Sequence, residues 1–159
     1  CVSFNPKVAG PSCSTDQNVR DHVMSYWKQT HHIEGAICHY TNFVETNTPF
    51  FRKDCLKTLM TFYHYKEIPS WGSDFWYIQI LGSGKSHRDF LIIDEIEYIN
   101  PTIQHKVSPK REIDSHDSEK NERIKWLKYA KQYGFKSTMM VTGPQTICEI
   151  VFRTDYCAL

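Results

Sequence analysis

The residues from Ser118 to Cys148 constrain the fold more than any other stretch, because they contain a bounded helix with a clear stop signal. Asp117 or Ser118 can cap it, and Glu119 and Glu122 put negative charge on its first turn, where unpaired N–H groups favour anions. Trp126, Leu127, Tyr129, Ala130 and Tyr133 recur at helical spacing. Lys128 and Lys131 fall in the last turn, and Gly134 supplies the left-handed residue that ends it. The helix is expected over residues 117–134. An apolar run, Met139 to Val141, then leads through Gly143-Pro144 to Cys148. What precedes reads as strands, so the expectation is a sheet with one helix packed on it and the function in the sheet.

The 159 residues suit one domain. Residues 1–20 hold Pro6, Gly10, Pro11, Ser12 and Ser14 and read as an irregular arm carrying Cys1 and Cys13. Val23 to Thr30, Ala36 to Val44, Leu56 to Tyr65, Asp74 to Leu81, Phe90 to Ile99 and Ile103 to Val107 read as strands from alternation or from β-branched and aromatic content. Thr46 to Pro49, Ile68 to Gly72 and Gly82 to Lys85 read as turns between them. Consecutive strands joined by short turns favour an antiparallel meander, and a long meander closes most simply as a barrel.

Composition narrows the partners. A net charge of +1 argues against nucleic acid, which needs a concentrated basic patch. No apolar run approaches the roughly 20 residues that span a bilayer. The chain starts at Cys1 without a charged, apolar leader, as a mature chain does after signal cleavage or as a trimmed one does. Six cysteines, widely spaced and without a C-x-x-C pair, point to disulfides in an oxidising, extracellular setting rather than to zinc. Their connectivity stays open.

Gly82-Ser83-Gly84-Lys85-Ser86 followed by Phe90 to Glu95 imitates a phosphate-binding loop and its metal-holding strand. That motif needs a glycine where Gln79 stands and a helix after the loop, and only His87, Arg88 and Asp89 separate Ser86 from Phe90. The stretch reads as a hairpin. Among eight histidines, His31 and His32 are adjacent and diverge on a strand, whereas His39 and His64 could meet in the fold and serve a secreted nuclease or other hydrolase. No G-x-S-x-G segment is present. No cofactor is implied, and a non-enzymatic protein is expected.

Asp94, Glu95 and Glu97 interrupt the apolar strand from Phe90. Asp94 shares a face with Phe90, Ile92, Ile96 and Tyr98, and Glu95 and Glu97 share the other with Leu91, Ile93 and Ile99. An inward acid needs a partner, because an unpaired buried carboxylate is costly. A cationic ligand held between carboxylates and aromatic rings would be one.

The pattern resembles the lipocalins. In that family an eight-stranded up-and-down antiparallel barrel is followed by one helix, a glycine with an apolar residue, a short strand and a late cysteine. Trp126 to Tyr133, Gly134-Phe135, Met139 to Val141 and Cys148 match in order. Ser25-Tyr26-Trp27 stands where the family opens with Gly-x-Trp, and Tyr26 to Thr30 with Cys38 and Tyr40 looks like the start of salivary lipocalins from ticks and other blood-feeding arthropods. The resemblance implies a bond from mid-barrel Cys55 to Cys148, and one from Cys38 to Cys157. Cys1 and Cys13 are left for each other or for a partner.

The expected protein is therefore all-β with one C-terminal helix, a secreted barrel that binds a small ligand without chemistry. The resemblance implies sequestration of a host mediator, either an amine such as histamine or serotonin or a lipid. Candidate pocket residues are Trp27, Phe62, Trp76, Tyr77, Glu95, Glu97 and Tyr98, with an acid pairing the ammonium group. The alternative is an inhibitor of a host protein, acting through Pro49 to Phe51 and Ser70-Trp71-Gly72.

Overall fold

The computed structural model describes residues 4–16, 18, 24–64, 71–82, 88–100, 119–136 and 146–152. Strand β4 (Phe90–Tyr98) lies at the centre of the sheet, and its leading Phe-Leu-Ile is buried on both faces, as an inner strand requires. Strand β1 (Val8–Cys13) pairs with it in parallel, and β2 (Ala36–Thr41) pairs antiparallel on its other side. β3 (Phe50–Phe51) extends β1 and β5 (Ile147–Phe152) extends β2, both antiparallel, so the order is β3-β1-β4-β2-β5.

Three helices share one side of this sheet: α1 (Lys53–Thr61), α2 (Ser73–Leu81) and α3 (Glu119–Tyr133). Their buried groups, including Leu59, Phe75, Ile78 and Trp126, form one core with Val8, Phe90 and Ile92 from the sheet. On the opposite face Ala9, Leu91, Cys38, Tyr40 and Val151 cluster with Phe4, Ile37 and Ile93. Among the described residues no helix is long and apolar enough to cross a membrane.

The eight-stranded all-β barrel is thus not formed; the fold is an open, mixed α/β sheet. The run from Leu56 is largely helix α1, whose only buried residues are Cys55 and Leu59, one helical turn apart. Leu56 and Met60 face solvent, so the strand-like alternation was surface pattern. The run Asp74 to Leu81 is helix α2, and six of its nine residues are buried, which leaves no helical period to see. Gly82 closes it with φ 82°, making Gly82 onward a helix-to-strand connection and not a hairpin. The expected first strand has Trp27 followed by a single 3-10 turn at Lys28–Thr30. Of the strands expected over Ala36 to Val44 and Phe90 to Ile99, Ala36–Thr41 and Phe90–Tyr98 form, and the late helix runs Glu119–Tyr133. Ile103 to Val107 and Met139 to Val141 lie outside the described residues.

The supposed arm supplies an inner strand. Pro11 has no N–H to give a ladder, and the register breaks directly after it: Pro11 faces Ile93, but Ser12 faces Glu97. β4 therefore bulges over Asp94, Glu95 and Ile96, and its ladder with β2 also ends at Ile93. Gly10 lies beneath the chain leaving β2, where a Cβ would stand 2.8 Å from Val44 Cγ1. The implied bonds Cys55–Cys148 and Cys38–Cys157 are absent, since Cys38, Cys55 and Cys148 carry free thiols. Cys1 and Cys157 lie outside the described residues.

Candidate functional site

Where β2 ends, the chain turns over the N-terminus of α2 and borders a partly open cavity of about 210 Å³. Trp27, Trp71 and Phe75 give it aromatic walls, and Glu45, Thr46, Gly72 and Asp74 complete the lining. Trp27 is held by Phe43 at 4.5 Å between ring centroids and by Phe75 edge-on at 5.9 Å, and Trp71 meets Phe75 at 5.8 Å. Gly72 is fixed by its neighbours: its φ is +92°, and a Cβ there would come within 2.6 Å of the Trp126 ring. Only glycine lets α2 start so close to α3.

Two of these lining residues are acidic. Asp74 is buried in the first turn of α2; Oδ1 accepts the Phe75 N–H at 2.9 Å, and Thr46 Oγ1 donates to Oδ2 at 3.4 Å. Those donors favour its charged form, but burial outweighs them and, with the charge of Glu45, lifts the carboxyl to about 6. Glu45 is half-buried and accepts a hydrogen bond from Tyr98 Oη at 2.9 Å; Asn47 Nδ2 in turn donates to Tyr98 at 3.1 Å. Tyr77 donates its hydroxyl to the Val44 carbonyl, and burial, then Asp74 and Glu45, push that phenol well above its usual range. Burial and Glu45 act on Tyr98 in the same direction. Among the described residues no lysine, arginine or histidine is ion-paired with Glu45 or Asp74. Arg123 of α3 lies over the Trp71 ring, 5.7 Å from its centroid.

A second polar cluster lies under the β4 bulge. Asp94 Oδ2 meets His39 Nδ1 at 2.7 Å with both side chains fully buried, and Asp94 Oδ1 accepts the Ile33 N–H at 2.9 Å. His39 Nε2 meets the Gln29 carbonyl at 2.9 Å. His39 Nε2–H donates to the Gln29 carbonyl, and one proton shared between His39 Nδ1 and Asp94 Oδ2 closes the contact, so the pair is satisfied internally. His32 Nδ1 stands 3.5 Å from Ser12 Oγ and 3.9 Å from Asp94 Oδ1. Asp94 lies at the same ring nitrogen as Ser12, while Glu34 Oε2 and Glu97 Oε1 stand 3.5 and 3.9 Å from the opposite nitrogen, Nε2, so what withholds a nucleophile–base–acid relay is the serine itself. Ser12 is buried and donates to the Ile96 carbonyl. His31 diverges from His32, with Nε2 2.7 Å from the Ser25 carbonyl, and His64 stacks on Tyr133 at 4.9 Å, away from His39's partners. Among the described residues no cluster of His, Cys, Asp or Glu is arranged to hold a metal ion.

The expected pocket residues are dispersed. Trp27 lines the cavity, and Tyr98 reaches it through Glu45. Tyr77 and Trp76 are core residues of α2. Glu95 is exposed, and exposed Glu97 lies 3.9 Å from His32. Phe62 instead borders a separate apolar hollow of about 400 Å³ with His64, Ile80, Tyr129, Tyr133 and Phe135. Of the expected protein-binding tips, Phe50 is exposed, whereas Trp71 belongs to the cavity. Glu45, Asp74 and Trp71 were not among the expected ligand contacts. Gly72-Ser73-Asp74 was the available signal, because Ser or Asp after a glycine often opens a helix. No family model, no curated protein and no solved structure matches this chain.

Proposed function

We propose that the protein captures a small protonated amine in the cavity of Trp27, Glu45, Trp71, Asp74 and Phe75, without converting it chemically. One observation carries this: two acidic residues, one of them buried, line an aromatic-walled cavity, and among the described residues no cation is paired to either. A buried carboxylate held only by neutral donors is costly to ionise, and an ammonium group offsets that cost by direct pairing. The same ammonium group gains about 0.5–2 kcal/mol from ring faces when water is excluded.

Size favours the amine among the two ligand classes expected from the sequence. Pockets for drug-sized ligands measure roughly 300–1,000 Å³. A cavity of about 210 Å³ suits a one-ring amine and is too small for a lipid chain. Isothermal titration with 2-phenylethylamine and with its neutral counterpart 2-phenylethanol tests the charge requirement. The amine is expected to bind and the alcohol to bind at least about tenfold more weakly, the equivalent of losing about 1.4 kcal/mol. Equal affinities would refute a role for the carboxylates.

A further inference from the structure

We propose that this cavity exchanges a proton for its cation, holding the amine at neutral pH and releasing it on acidification, with Asp74 as the group that takes the proton. The proposal rests on the amine-binding reading of the same cavity. An amine that is already protonated binds, the Asp74 carboxyl gives one proton to solvent, and the carboxylate pairs with the ammonium group. Acidification reverses each step, and no other reactant is needed.

The geometry singles out Asp74. It is the buried member of the acid pair, held between ring walls, and its hydrogen bonds come from a neutral hydroxyl and one backbone N–H. Glu45 faces it from the chain after β2, and Tyr98 of β4 donates to Glu45. Tyr77 of α2 is committed to the Val44 carbonyl. On α3, Arg123 lies over Trp71, and Glu122 accepts from Lys125 Nζ at 2.9 Å. Protonating Asp74 removes both its attraction for an ammonium group and its repulsion with Glu45, so the empty cavity favours the proton and the filled one favours the charge. The value of about 6 places the exchange between neutral and mildly acidic conditions.

Titration with 2-phenylethylamine, which stays protonated throughout, is run from about pH 5 to about pH 8 in buffers of different ionisation enthalpy. Release of about half a proton per amine is expected near pH 6 and almost none near pH 8, with affinity about tenfold weaker near pH 5 than near pH 8. Asp74→Asn is expected to bind weakly with a flat pH profile. Glu45→Gln is expected to shift the midpoint to lower pH, because a neighbouring negative charge is gone, and it carries the test should Asp74→Asn fail to fold. Binding without proton release, or an unchanged profile in Asp74→Asn, would overturn the exchange and leave amine capture standing. No binding at any pH would bring down both.

Discussion

Asp74 sets a stability cost against the ability to bind. Burial, with Glu45, lifts its carboxyl from the usual 3.8 to about 6. Between those values the folded ligand-free protein keeps a proton that the unfolded chain has lost, so stability falls as pH rises through that window. Above it the cost is constant, at most about 3 kcal/mol. Asp74→Asn is therefore expected to raise the unfolding free energy at neutral pH by about 1–3 kcal/mol in urea titrations, with the gain vanishing near pH 4. A loss of stability at neutral pH would contradict an uncompensated carboxylate. Asp94 is the opposite case, buried with a partner. His39→Ala takes away the buried partner of Asp94 Oδ2 and is expected to cost about 2–5 kcal/mol in the same titration, whereas a change under about 1 kcal/mol would mean that the contact contributes little. Strand parity grouped Asp94 with Phe90 and Ile92 but left open which face turns inward, and the acids expected to meet a ligand, Glu95 and Glu97, are the exposed ones. The partner of Asp94 was not legible either, because the contact depends on the β2–β4 register and on a bulge that no local pattern encodes.

At the scale of elements, what could be read was what left a one-sided or strongly bounded pattern. α3 has a buried stripe at Glu122, Trp126, Tyr129 and Ala130, with Leu127 and Tyr133 outside it, and a stop at Gly134 with φ 72°. β4 has an unbroken apolar run. α2 could not be told from a strand, since a short fully buried run looks the same in either form. β1 was hidden by Pro11, which usually signals a loop and is tolerated here only at the register break. α2 also depends on one backbone position. Gly72→Ala must adopt a left-handed φ and displace the Trp126 ring, and is expected to cost about 2–5 kcal/mol and to weaken amine binding together. The control is Gly35→Ala: φ is +77° there too, but nothing lies within 4 Å, so only the backbone term of about 1–2 kcal/mol applies. Equal losses at the two glycines would show that the Trp126 contact contributes nothing.

For the whole molecule, the cysteines distinguish the open sheet from the closed barrel. An even count without close pairs reads as a disulfide framework, but that inference concerns composition and says nothing about which thiols the fold brings together. In the structure Cys55 is buried on the helical side of the sheet, Cys38 is buried on the opposite face, and Cys148 is exposed on edge strand β5. Burial, followed by the charges of Asp94, Glu149 and Glu95, pushes the Cys38 thiol up to about 12, and burial raises that of Cys55. Since the thiolate is the reacting form, Cys38 is slowed by access and by protonation, whereas burial raises the Cys148 thiol as it does that of Cys55, and access alone separates those two. Native protein treated with iodoacetamide in the absence of reductant is therefore expected to be alkylated first at Cys148. Cys38 and Cys55 should follow on the order of a hundredfold more slowly, through opening of the core, and at ordinary rates once unfolded in urea. Peptide mapping by mass spectrometry reads all three sites at once. A Cys55 peptide found linked to a Cys148 peptide would restore the barrel's staple and remove the open sheet on which the cavity at Asp74 is built.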